Sequence, residues 1–218
     1  MSIQKNLENI ALQIKGRATL VAVTKTRSVE EMQEVYQQGY RVFGENRVQE
    51  ILRKKPLFPN DVAWHLIGHL QSNKVKQILP HVDLIHGVDS EKLLHEINKE
   101  AGKAGIKPRV LLQIYIATEE SKFGLDHHEA NALLQQYQDG KFEHVTICGL
   151  MGMASNVESR EQIEKEFSSL QQYYQKVAEQ YTFLNTLSMG MSGDYELALQ
   201  HGSNMVRIGS AIFKNEPA

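Results

Sequence analysis

The residues best suited to chemistry follow directly on short apolar runs of the chain. Lys25 directly follows the β-branched run at 19–24. A lysine amine that loses its proton can hold a carbonyl compound as an imine. Two turns of small residues, Met191-Ser192-Gly193 and Gly209-Ser210, follow later runs. Glycine lets backbone N–H groups approach an anion and serine adds a donor, so both turns suit a phosphate group. Taken singly, each feature is also typical of a surface lysine or an ordinary turn.

Arg207 belongs to the last apolar run and stands two residues before Gly209. Side chains two apart on a strand face the same side, so Arg207 is expected beside the second of these turns. A permanent cation there would disfavour protonation of a ring nitrogen that a ligand brought next to it. A strand arginine paired with an acid such as Glu45 is the alternative interpretation, and both remain open at the level of sequence.

These residues need a scaffold that brings distant segments to one edge. Short β-branched runs alternate with stretches of helical spacing, and the capping residues Ser28 and Ser90 precede two of those stretches. Further helices are predicted at 126–138 and 158–180. Eight strands are predicted, at 19–24, 41–45, 63–68, 84–88, 109–116, 144–151, 183–189 and 205–209. Strands separated by helices run parallel, and eight such units predict an α/β fold, a single (β/α)8 TIM barrel over residues 1–218. A doubly wound open sheet is the alternative, but no glycine-rich dinucleotide turn follows the first strand.

A barrel places its functional side chains at the C-terminal ends of the strands, so Lys25 and the two turns share one mouth. An aldehyde that carries a phosphate would satisfy both features, and pyridoxal 5′-phosphate (PLP) is such a compound. The alternative is a barrel enzyme that acts on a sugar phosphate without a cofactor. It would use Lys25 with Glu45 or His69 as the acid–base partner.

Six blocks of sequence, in order along the chain, carry a resemblance to a known family. They are 21–26 (VAVTKT), 43–50 (FGENRVQE), 64–74 (WHLIGHLQSNK), 149–153 (GLMGM), 187–192 (LSMGMS) and 206–209 (VRIG). Together they resemble the pyridoxal phosphate homeostasis protein family, which has the alanine racemase N-terminal barrel without the extra β domain. Thr24 and Ser210 stand where the family pattern suggests serine and threonine, and both exchanges keep a hydroxyl group. Lys214 stands where glycine is more usual.

The resemblance implies a role for each candidate residue. Lys25 would form the PLP aldimine, a Schiff base, and Arg207 would lie beside the pyridine ring. The phosphate would be held by Ser192, Gly209 and Ser210, and the pocket would also be lined by Asn46, His69 and Met191. The implied function is sequestration of PLP and its delivery to PLP-dependent apo-enzymes, by a monomer without catalytic residues of its own. A PLP-dependent amino-acid racemase of the same fold type is the alternative, although a second catalytic base has no obvious source in this sequence.

Composition excludes several other classes of function. The formal charge is −2 with acids and bases interspersed, so no basic stripe is present for nucleic acid. The polar N-terminus and the absence of a long apolar run predict a cytoplasmic protein without membrane contact. Cys148 is expected as a buried thiol. His65 and His69 lack the glutamate of a zinc motif, so no metal site is predicted. The run Arg53-Lys54-Lys55 before Pro56 is interpreted as an exposed helix end.

Overall fold

Eight parallel strands pair in chain order and close into a barrel, because the last strand pairs with the first. The computed structural model describes residues 2–118 and 123–214. The strands are β1 (Thr19–Val23), β2 (Val42–Glu45), β3 (Ala63–Leu66), β4 (Leu84–Val88), β5 (Arg109–Ile114), β6 (Thr146–Gly152), β7 (Thr186–Met191) and β8 (Met205–Ile208). The predicted (β/α)8 architecture is confirmed.

Helices follow the strands and cover the outside of the barrel. They are α1 (Ile3–Ile14), α2 (Val29–Gln37), α3 (Val48–Lys54), α4 (Val75–Ile78), α5 (Glu91–Ala104), α6 (His127–Gln138), α7 (Arg160–Gln180), α8 (Tyr195–Gln200) and α9 (Ser210–Phe213). The predicted starts are confirmed: Ser28 forms a capping box with Glu31, and the Ser90 side chain accepts a hydrogen bond from the Leu93 N–H.

Two predicted strands begin too early, and local turns explain both differences. Before β6 the N–H of Val145 donates to the carbonyl of Phe142, and before β7 the N–H of Leu184 donates to the carbonyl of Tyr181. Each bond closes a turn that takes the donor residue out of the sheet. β6 and β7 therefore begin at Thr146 and Thr186, two and three residues later than predicted.

Apolar side chains fill two separate regions, as the alternation of strand side chains requires. The larger core lies between the sheet and the helices and includes the edge-on contacts of Phe43 with Phe58 and Trp64. The smaller core fills the barrel interior and includes Val21 and Cys148. Cys148 is buried as expected, and burial raises the pKa of its thiol.

The prediction for Lys54 is wrong, because this lysine is only 1% exposed. Its Nζ lies 2.8 Å from Oε1 of the fully buried Glu45 and 3.1 Å from Oε2 of Glu50, and it donates to the carbonyl of Thr24 over 2.8 Å. Glu45 shares its strand face with Phe43, so the pair lies between α3 and the barrel wall. Arg53, its neighbour in the basic run, does have an exposed side chain.

Removal of one partner from this ion pair leaves an uncompensated buried charge, which costs about 3–5 kcal/mol. Lys54→Met is expected to lower the free energy of unfolding by about that amount in urea denaturation, and Glu45→Gln by less, because Lys54 keeps its contact with Glu50. Lys165→Met is the matched control, since Lys165 pairs with Glu161 on the exposed face of α7. The control should change the free energy of unfolding by less than about 1 kcal/mol. An equally small change for Lys54→Met would contradict the buried-pair interpretation.

Candidate functional site

A cavity of about 570 Å³ opens at the C-terminal ends of the strands. The structure brings all of the predicted site residues to its lining, namely Lys25, Asn46, His69, Met191, Ser192, Arg207, Gly209 and Ser210. These residues come from the ends of five different strands, which is the arrangement that a closed parallel barrel imposes. Lys25 is exposed within this open cavity, so its amine is accessible from solvent.

A tight turn presents Lys25 to the cavity. The N–H of Arg27 donates to the carbonyl of Thr24 over 3.0 Å, and Thr26 has a left-handed backbone with φ of 62°. Positive φ at the third position is the pattern of a type II turn, and a residue with a side chain adopts it at a cost of about 1–2 kcal/mol. Lys54 donates to the same Thr24 carbonyl. The buried ion pair behind the wall therefore fixes the backbone from which Lys25 projects.

Ser192 and the start of α9 form a cradle with backbone donors. The Ser192 hydroxyl oxygen accepts hydrogen bonds from the N–H groups of Gly209, at 3.1 Å, and Ala211, at 3.2 Å. A Cβ at Gly209 would lie 3.2 Å from both Cβ and the carbonyl oxygen of Val23, which explains the glycine. Gly193, which follows Ser192 in the chain, faces open space. The two N–H groups fix the Ser192 oxygen and leave its hydroxyl proton to donate beside open space, and this arrangement fits a phosphate group.

Arg207 is a buried cation held by neutral oxygens. Its Nη1 donates to the carbonyl and to the hydroxyl of Ser188, at 3.0 and 2.7 Å, and Nη2 donates to the carbonyl of Gly152 at 3.1 Å. Burial lowers the pKa of Arg207 to about 10, while the charge of Asp194 acts in the opposite direction. Arg207 is thus charged at neutral pH. The alternative pairing of Arg207 with Glu45 is wrong, because Glu45 is engaged by Lys54.

Two buried histidines extend this network into the barrel interior. His86 Nδ1 lies 3.1 Å from the Ser188 hydroxyl, and His86 Nε2 lies 3.0 Å from His65 Nδ1. Burial lowers the pKa of His65 to about 3, with a further effect of the Arg109 charge. Burial also holds the pKa of His86 well below its ordinary value, helped by His65 and Arg207. Both rings are therefore neutral at pH 7.

Only the first direction in this hydrogen-bond chain is fixed. Arginine can only donate, so the Ser188 oxygen accepts from Arg207. The directions of the Ser188–His86 and His86–His65 contacts depend on the ring tautomers. In the tautomer that takes the Ser188 proton on His86 Nδ1, His86 Nε2 donates to His65 Nδ1, and each neutral group turns its negative end toward the guanidinium group. The hydrogen bonds that Arg207 donates to Ser188 and Gly152 thus go to neutral oxygens.

His69 lies at the rim of the cavity and has two partners that the sequence interpretation missed. Its Nδ1 lies 2.8 Å from Oδ2 of Asp89, and its ring stacks on Phe123 with 5.2 Å between ring centroids. Gln113 also lines the cavity and donates to the carbonyl of Phe123. Asp89 directly follows the predicted fourth strand, so inspection of that strand end would have identified it.

His65 and His69 do not converge on a common ligand position. His65 contacts His86 inside the barrel, whereas His69 contacts Asp89 at the rim. In the part of the chain that the structure describes, no three His, Cys, Asp or Glu side chains are grouped closely enough to hold a metal ion. None of the helices in residues 2–118 and 123–214 combines the length and apolar character that a membrane span requires.

Comparison with known proteins identifies the family. The family model described as alanine racemase, N-terminal domain, matches residues 1–217. A pyridoxal phosphate homeostasis protein of Vibrio alginolyticus is 39% identical over 228 residues, with 97% of each chain covered. A protein of the same description from Schizosaccharomyces pombe is 36% identical, with 99% of this chain and 94% of that protein covered. The chain belongs to the pyridoxal phosphate homeostasis protein family.

Solved structures agree with this assignment. PipY of Synechococcus elongatus, without PLP, is 33% identical and superposes with a TM-score of 0.92 over 97% of this chain and 100% of PipY. The structure of PipY with PLP bound gives a TM-score of 0.88 at the same coverage. An alanine racemase of Clostridium difficile is 15% identical with a TM-score of 0.82, and the match covers 57% of that chain. The likeness to the racemase shows a shared barrel fold.

The buried neutral histidines predict a loss of stability in acid. The pKa of His65 is lowered from 6.5 to about 3 in the folded protein, so the unfolded chain binds more protons between these values. The contribution of neutral His65 to stability is fully present above its unfolded-state pKa of 6.5. It is lost as pH falls toward its folded-state pKa of about 3. At pH 4.5 the loss from His65 alone should be about 2–3 kcal/mol.

Urea denaturation at pH 7 and pH 4.5 checks this prediction. The difference between the two pH values should be smaller for His65→Gln than for the wild type, whatever the stability of the variant at pH 7. His128→Gln, on the exposed face of α6, is the control and should keep the wild-type difference. An unchanged pH difference in His65→Gln would show that His65 does not contribute.

Proposed function

We propose that this chain binds PLP at the mouth of its barrel and serves PLP homeostasis by holding the cofactor and giving it up again. One observation carries the proposal: Lys25 and the Ser192–Gly209 cradle line the same cavity. An amine and a phosphate-binding cradle in one cavity suit a phosphorylated aldehyde. The shared description of the relatives and the PipY structure with PLP bound support the same ligand.

The charge of the cavity fits an anionic ligand. Lys25, Arg27 and Arg207 line it, and among the described lining residues Asp89 is the single carboxylate. Ser192, Gly209 and Ser210 are assigned to the phosphate group. The N–H groups of Gly209 and Ala211 hold the Ser192 hydroxyl oxygen as their acceptor, so the Ser192 hydroxyl proton is left to donate to the phosphate group. Asn46 and Met191 complete the assigned lining.

Lys25 is assigned as the covalent anchor. When bound, PLP would supply an aldehyde that condenses reversibly with an amine and releases water. Lys25 Nζ would be the amine that holds it as a Schiff base. The condensation needs no oxidant or reductant, and water would reverse it. The exposure of Lys25 and the open cavity leave the linkage accessible to water and to other amines.

Arg207 is assigned to the pyridine nitrogen. Its positive charge opposes protonation of that nitrogen and so limits the electron withdrawal that amino-acid chemistry requires. This favours a protein that binds PLP without catalysis over the alternative of an amino-acid racemase. The relatives are likewise described as pyridoxal phosphate homeostasis proteins. Delivery to PLP-dependent apo-enzymes, a monomeric state and a cytoplasmic location complete the proposal as predictions.

Absorbance spectra of purified protein with and without added PLP test the role of Lys25. A band at about 420 nm, the region expected of a protonated Schiff base, should form in the wild type and be lost in Lys25→Ala. Lys92→Ala on the exposed face of α5 is the control and should keep the band. The absence of a band from every protein would contradict PLP binding and return the barrel to a cofactor-free phosphate site.

A comparison of PLP with pyridoxal, which lacks the phosphate group, tests the cradle. Ser192→Ala should weaken PLP binding about tenfold or more, the effect of losing a hydrogen bond to a charged group. Pyridoxal binding should change by less than twofold, because pyridoxal does not engage the cradle. Equilibrium titration followed by the same absorbance band measures both affinities. Equal losses for the two ligands would place the phosphate group elsewhere.

A further inference from the structure

We propose that His69 and Asp89 form a proton-transfer pair that accelerates both the loading and the release of PLP. The inference rests on the proposed function and adds a catalytic role for a residue that sequence reasoning treated as part of the lining. The carrying observation is the Nδ1–Oδ2 contact of 2.8 Å between His69 and Asp89, at the rim of the cavity that contains Lys25.

Two contacts hold the imidazole of His69 in one orientation. Asp89 binds one ring nitrogen, and the Phe123 ring stacks on its face with an interplanar angle of 28°. The His69 side chain is 49% exposed, whereas that of Asp89 is only 8% exposed. The imidazole can therefore exchange protons with solvent while its carboxylate partner is largely shielded.

The partner of Nδ1 decides which nitrogen can react. An ionised carboxylate can only accept, so Nδ1 carries the proton that faces Asp89. In the neutral ring the lone pair is then on Nε2, and this nitrogen can take up a proton and return it. A carboxylate behind an imidazole also stabilises the positive charge that the ring gains in this step. Asp89 is thus a positioning residue, and His69 carries the proton.

Formation of the linkage requires such proton movement. For the Nζ–C linkage to form, the nitrogen of Lys25 would have to lose two protons, and the aldehyde oxygen would have to gain two before it left as water. In release, water adds to the carbon, its protons pass to nitrogen, and the C–N bond breaks. His69 can accept a proton from nitrogen and donate one to oxygen, and can act in the reverse order for release.

The other polar groups of the lining are less suited to this task. Lys25 is the reacting amine itself. Arg27 and Arg207 stay protonated at neutral pH, since guanidinium groups do not act as bases there. Asn46, Gln113, Ser192 and Ser210 form hydrogen bonds but do not titrate near neutral pH. Of the described lining residues, His69 with Asp89 is therefore the group best able to shuttle protons.

Acceleration in both directions distinguishes a catalytic role from a binding role. A catalyst lowers the barrier between free and bound cofactor and leaves their equilibrium unchanged. A residue that only contacts the ligand changes the equilibrium, usually through the release rate. A protein that stores a reactive aldehyde and surrenders it on demand needs fast exchange without weak binding, and an acid–base pair at the mouth supplies that combination.

Stopped-flow absorbance at the PLP band tests the inference. The observed rate is plotted against PLP concentration, so the slope gives loading and the intercept gives release, and an equilibrium titration gives Kd. In His69→Gln both rates should fall about a hundredfold, the lower range for loss of an acid–base group, with Kd within twofold of the wild type. Asp89→Asn keeps a hydrogen-bond acceptor and should slow both rates less, by about tenfold. Added imidazole should restore much of both rates to His69→Ala.

His128→Gln is the matched control, since His128 is exposed on α6, and it should load and release at wild-type rates. Wild-type rates in His69→Gln would overturn the inference, and so would a rise in Kd that accounts for the whole change. Absence of the band from the wild type would instead overturn the proposed function. A normal wild-type band with unchanged kinetics in His69→Gln overturns the catalytic role alone.

Discussion

Closure of a parallel sheet is the constraint on which the rest of this structure depends. When β8 pairs with β1, every strand ends at the same rim, and residues more than 180 positions apart in sequence become neighbours around one cavity. The hydrogen bonds from Gly209 and Ala211 to Ser192 exist only because β7 and β8 are adjacent at that rim. The helices outside supply the apolar cover that a sheet with two buried faces needs.

Two buried polar systems lie on opposite faces of the barrel wall near the cavity. Outside the wall, Lys54 and Glu45 hold the carbonyl and hydroxyl of Thr24 and so fix the turn that presents Lys25. Inside the barrel, Ser188 and its two histidines hold Arg207. One system is an ion pair and the other is a chain of neutral groups. A carboxylate paired directly with Arg207 would cancel a positive charge that, under the proposed function, the cavity uses toward an anion.

The same physical terms explain how a protein can hold a cofactor without using it. Under the proposed function, the Ser192 cradle and Arg207 would supply affinity, while Arg207 beside the ring would oppose the electron withdrawal that turnover needs. A linkage to Lys25 would be reversible by water, and the mouth of the cavity is open. Under the proposal for His69 and Asp89, the rate of exchange is set at the rim and the strength of binding is set deeper in the cavity. Affinity and exchange rate could then vary independently.

The sequence by itself determined the barrel, its helix starts and the residues at the mouth. Local patterns carry this information: β-branched runs, capping serines and small residues after strands have the same meaning wherever the chain folds. Lys25, Ser192 and Gly209 could be predicted because a closed barrel sends every strand end to one rim. The resemblance to a family added the expectation that PLP is the ligand at these positions.

Tertiary structure alone decided the environment of the buried polar groups. Lys54 has the sequence context of an exposed helix end, and it is buried because α3 packs against the wall opposite Glu45. His86 lies 102 residues from Ser188 in sequence, and their contact exists only across the interior of the barrel. The physical reason is that the free energy of a charge depends on what covers it and what pairs with it. Both are set by distant segments that no local pattern records.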